Sequence, residues 1–97
     1  MKIIDLSSER NNLAYMHGFA YVLSFNPTIE DFKVLVNIRN WLWETFGPSA
    51  EIAILSNVYS RDKFPAWSFV VDKSTRHIIL GSEAYMLFCL NRENLVT

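Results

Sequence analysis

The sequence predicts one small α+β domain: a mainly antiparallel sheet of about five strands, one long helix packed on one face, and a short C-terminal helix, in the order ββαβββα. Three observations predict it. At 97 residues the chain is too short for two cores, so residues 1–97 form one domain. Several short segments alternate large and small or apolar and polar residues, as strands do. One longer segment carries helix start and stop signals at its two ends.

Met1 to Leu6 reads as a short strand, followed by the polar turn segment Ser7 to Asn12. From Leu13 to Phe25 the odd positions are Leu13, Tyr15, His17, Phe19, Tyr21, Leu23 and Phe25, while the even positions are mostly small. With a two-residue side-chain period this is one long strand with a bulky aromatic face, bent at Gly18. A helix ending at Gly18 is the rival reading of the first half, because Leu, Ala and Met form helices readily.

The helix runs from about Ile29 to Phe46. Thr28 precedes Asp31 by three residues, a variant of the capping box, and Gly47-Pro48 supplies a left-handed residue followed by one that cannot continue. Ala50 to Tyr59 is strand-like, Ser60 to Ala66 is a charged loop, and Trp67 to Asp72 alternates as a strand. Lys73 to Thr75 form a tight turn into Arg76 to Leu80, and Ser82 caps the C-terminal helix.

On the long helix Glu30, Lys33, Asn37, Asn40 and Glu44 gather into a polar stripe, and Phe32, Leu35, Val36, Leu42, Trp43 and Phe46 form the opposite face. Phe32, Leu35, Leu42 and Phe46 are expected against the sheet. Val34, Ile38 and Trp41 widen the apolar arc beyond what one sheet covers. The C-terminal helix and the sheet edge are one cover for that flank, and a partner chain is the other. Arg39 projects near the middle of the apolar face, where pairing with Asp5, Asp31 or Asp72 is expected; anion binding is the alternative.

Composition narrows the class. The chain is 51% hydrophobic and 14% aromatic, enough apolar area to fold without a disulfide, which a lone Cys89 cannot form internally. Nine basic and ten acidic residues give a net charge of −1, which lacks the electrostatic footprint of a nucleic-acid binder. The longest apolar run, Ala84 to Leu90, falls far short of the ~20 residues a membrane helix needs. The single cysteine and the lack of a signal-like N-terminus point to the cytoplasm.

Motifs of chemistry are sparse. His17, His77 and Cys89 have no metal-ligand spacing, the serines lie outside any nucleophile elbow, and Cys89 sits in an apolar run where a thiol is inert. No catalytic residue, metal or cofactor is expected. The loop of Arg61, Asp62, Lys63 and Phe64 sets alternating charges beside an aromatic ring; it is a binding loop, or a solvated turn whose phenylalanine folds back.

Arg76-His77-Ile78-Ile79-Leu80, followed by Ser82-Glu83-Ala84, Met86-Leu87-Phe88 and Leu90, resembles the strand-plus-short-helix ending of many small uncharacterised tailed-phage proteins. Those endings carry a basic residue where this chain has Cys89. The resemblance implies a phage-encoded factor that binds and inhibits a host protein in the host cytoplasm.

Two function classes follow. The first is a non-catalytic protein-binding module, self-associating or bound to a host protein, using the strand face of Tyr15, Phe19 and Tyr21 or the helix flank of Val34, Ile38 and Trp41, with the Arg61–Phe64 loop beside them. The second is a single-stranded nucleic-acid binder that stacks bases on the aromatic strand face, against which the balanced charge stands.

Overall fold

The computed structural model describes residues 1–8, 18–49 and 66–96. Within them the class is as expected: an antiparallel four-stranded sheet with two helices. The strands are β1 (Lys2–Asp5), β2 (Tyr21–Phe25), β3 (Trp67–Asp72) and β4 (Thr75–Leu80), and the helices are α1 (Ile29–Phe46) and α2 (Ser82–Leu95). A 3-10 turn, Leu6–Ser8, follows β1. The expected fifth strand, Ala50 to Tyr59, lies outside the described residues, as does the Leu13 to His17 half of the long second strand. The described part of that segment is strand only from Tyr21, because Gly18 turns with a φ of 91° and the chain enters the ladder through Ala20.

The sheet order is β1-β2-β4-β3, with every neighbouring pair antiparallel. Leu23 faces Ile78 at the centre, Tyr21 faces Leu80 on one side, and Trp67 and Phe69 face Leu80 and Ile78 from β3. Strict alternation therefore puts Leu23, Phe25, Trp67, Ile78 and Leu80 on one face. They join Leu35, Ile38 and Leu42 of α1 and Ala84, Phe88 and Leu95 of α2 in one core. Both helices lie on that face.

Among the described residues each half of the chain supplies a pair of strands followed by a helix, and β2 lies beside β4 with Leu23 and Ile78 as the central pair. Leu35 and Leu42 of α1, and Phe88 and Leu95 of α2, are buried at the same two-turn interval. Each helix also reaches toward the other half: Arg39 and Trp43 of α1 meet Phe69 and Trp67 of β3, and Tyr85 of α2 stacks on Tyr21 of β2.

Helix α1 has the expected bounds. The Thr28 side chain accepts from the Asp31 amide at 3.2 Å, and Gly47, with φ 88°, donates its amide to the Trp43 carbonyl. For α2 the cap differs from the expectation. Gly81 holds the N-cap position with no side-chain hydrogen bond and Ser82 is the first helical residue, because the extended backbone of β4 continues through Gly81.

Candidate functional site

Helix α1 positions the surface that needs explaining. Its seat on the sheet is fixed at both ends. At the N-terminal end the Asp31 carboxylate accepts from the Asn26 amide at 2.7 Å and pairs with the Met1 amino group at 3.2 Å. The Asn26 hydrogen bond is the main cause that holds the Asp31 carboxyl below the usual carboxylate range; burial opposes it, and the Met1 amino group adds a lesser lowering effect. At the C-terminal end the Trp67 indole N–H donates to the Gly47 carbonyl at 2.9 Å, and Trp43 meets Trp67 edge-on at 6.5 Å.

Between these anchors the helix carries two apolar rows. Leu35, Ile38 and Leu42 face the core. Ile29, Phe32, Val36 and Trp43 form a second row on the flank that leans toward β3, with exposures of 75%, 53%, 37% and 50%. Those four side chains repeat in the i, i+3, i+7 manner of a helix that packs against another helix. Arg39 falls in the same row, stacked over the Phe69 ring at 5.2 Å. Val71 of β3, on the same sheet face as Phe69, is 57% exposed.

The structure redistributes the residues expected to form the site. Phe32, expected in the core, is more than half exposed, and Ile38, expected on an uncovered flank, is fully buried. Val34 and Trp41 are half-buried against the core, Trp41 edge-on to Phe46 at 6.3 Å. The apolar arc is as wide as the sequence indicates, but the helix is rotated so that the opposite flank is left open. Among the described side chains Arg39 makes no ion pair with an acid, Asp5 and Asp31 included, and its partner is the Phe69 ring on the open flank; the side chain of Asp72, the third expected partner, lies outside the described residues.

The described part of the aromatic strand face is covered by the rest of the chain. Phe19 is 1% exposed, and Tyr21 lies flat against Tyr85 with ring centroids 3.6 Å apart, a 10° interplanar angle. A hydrogen bond with Cys89, together with burial, raises the Tyr85 hydroxyl above the usual tyrosine range. Tyr15 and the loop residues Arg61, Asp62, Lys63 and Phe64 lie outside the described residues. Sequence reasoning missed the row Ile29, Phe32, Val36 and Trp43 as a surface, although its spacing was a readable signal beside that of Leu35, Ile38 and Leu42.

Two other features lie apart from α1's open flank. A cavity of about 320 Å³ lies at the start of α2, lined by Gly18, Phe46, Ala66 and the Gly81–Ala84 turn. On the other sheet face the buried Nδ1 of His77 has no hydrogen-bond partner. Among the described residues no group of three His, Cys, Asp or Glu side chains is placed to hold a metal ion, and no helix is long and apolar enough to cross a membrane. No family model, curated protein or solved structure matches the chain.

Proposed function

We propose that this chain is a non-catalytic protein-binding module whose contact face is the open flank of α1. The observation that carries this reading is the row Ile29, Phe32, Val36 and Trp43, left in solvent on a helix whose other apolar row is already buried. Exposing a large aromatic and three further apolar side chains in one row withholds area from a core that a domain of this size needs, and such rows are characteristic of interfaces. The resemblance of the C-terminal segment to small tailed-phage proteins adds a host protein to the classes of partner, beside a second copy of the chain.

The nucleic-acid reading has no observation in its favour. Base stacking needs open rings, and of its three rings Phe19 is buried and Tyr21 is stacked on Tyr85.

A photo-crosslinking residue placed at Val36, irradiated in the native cell, tests the proposal. The expected result is a discrete adduct, identified by mass spectrometry, that is missing when the same residue is placed at exposed Glu93 on α2. Equal, diffuse labelling from both positions would remove α1 as the contact face.

A further inference from the structure

The open row on α1 has a cation within it, and that charge selects the partner. Arg39 lies between Val36 and Trp43 in the row, is exposed, and has no carboxylate partner among the described residues. The cation–π contact with Phe69 uses the charge of the guanidinium and leaves its N–H donors, which lie in the guanidinium plane, unused by that contact. An apolar partner laid along the row would strip water from those donors and leave a charge unpaired, which is strongly unfavourable unless a carboxylate meets it.

Building on the reading of α1 as a contact face, the geometry points to one occupant: an amphipathic helix of another protein, with apolar residues against Ile29, Phe32, Val36 and Trp43 and one Asp or Glu opposite Arg39. A helix is the matching shape because the row, Arg39 included, repeats every three to four residues over two full heptads. A carboxylate can meet the guanidinium through two parallel N–H···O bonds, which gives register as well as attraction.

A second copy of this chain fits less well. A two-fold axis perpendicular to the row passes near Val36, because Ile29 and Trp43 lie equally far from it, or near Arg39; one parallel to the row sets each residue beside its own copy. Each of these axes brings Arg39 close to the second copy's Arg39 or Lys33, cation against cation in a desolvated seam.

The test is a display library of amphipathic helical peptides, with apolar residues at all seam positions but one and all twenty residues at the central seam position. Against the wild-type chain, Asp and Glu at that position should be enriched at least tenfold over Lys and Arg. The preference should vanish with Arg39→Gln and reverse with Arg39→Glu. Selected peptides should lose at least tenfold in affinity on Val36→Lys. Peptides chosen without regard to charge, or an acid preference indifferent to Arg39, would overturn the inference and leave the contact face standing. So would a dimer in light scattering that Val36→Lys dissociates. Failure to select any peptide, together with no discrete crosslink from position 36, would overturn both.

Discussion

The guanidinium carbon of Arg39 lies 5.2 Å from the centroid of the Phe69 ring, so α1 and β3 are joined by a cation–π contact on an exposed flank. Such a contact at an accessible site is worth about 0.5–1 kcal/mol, far less than a buried ion pair whose partner is removed. Arg39→Met should therefore cost less than about 1 kcal/mol in urea unfolding, with Arg39→Ala only slightly worse. A loss of about 3 kcal/mol or more would mean that Arg39 is buried with an acid after all.

Gly47 ends α1 with φ 88° and ψ −163°, a conformation that side-chain-bearing residues rarely adopt, and a Cβ placed there would meet nothing within 4 Å. The cost of Gly47→Ala is thus backbone strain with no clash, roughly 1–3 kcal/mol. Thermal unfolding should show it as a lowered Tm. Unchanged stability would mean that the Trp67–Gly47 hydrogen bond does not hold this turn in place.

Asp31 gives the fold a defined acid sensitivity. Its folded pKa is lowered, first by the Asn26 amide and then by the amino terminus, below the ~3.9 of an unfolded aspartate. A lowered carboxyl contributes stability that is present above the unfolded value and is lost as pH falls through the folded one. Asp31→Asn should cost roughly 1–2 kcal/mol at neutral pH, and the gap to wild type should narrow steadily below about pH 4. A gap that stays constant with pH would show that the charge on Asp31 contributes nothing.

Much of the fold is legible because local signals agree with tertiary ones. Thr28, Gly47 and Pro48 set the ends of α1, and the alternation through Trp67, Phe69 and Val71 sets β3. The rotation of α1 about its own axis is not legible. Leu35, Ile38 and Leu42 and the row Ile29, Phe32, Val36 and Trp43 both have helical spacing. The choice between them is made by contacts distant in sequence: the Met1 amino group on Asp31 and the Trp67 indole on Gly47. The same holds for Tyr21, whose strand alternation is plain, while its cover, Tyr85, comes from the other end of the chain.

That rotation makes the sharpest test of the structure, because two apolar residues on one helix should respond very unequally to the same change. Leu42 is fully buried in the core and Phe32 is 53% exposed, so truncation leaves a cavity at one and only trims surface at the other. Leu42→Ala should cost about 2–5 kcal/mol. Phe32→Ala should cost well under that, roughly 1 kcal/mol or less, because half of its ring is already in water. Denaturant midpoints of the two variants, compared at equal m-value, read the difference directly. If Phe32→Ala proved as damaging as Leu42→Ala, α1 would be turned the other way, and the row assigned here to a partner would belong to the core.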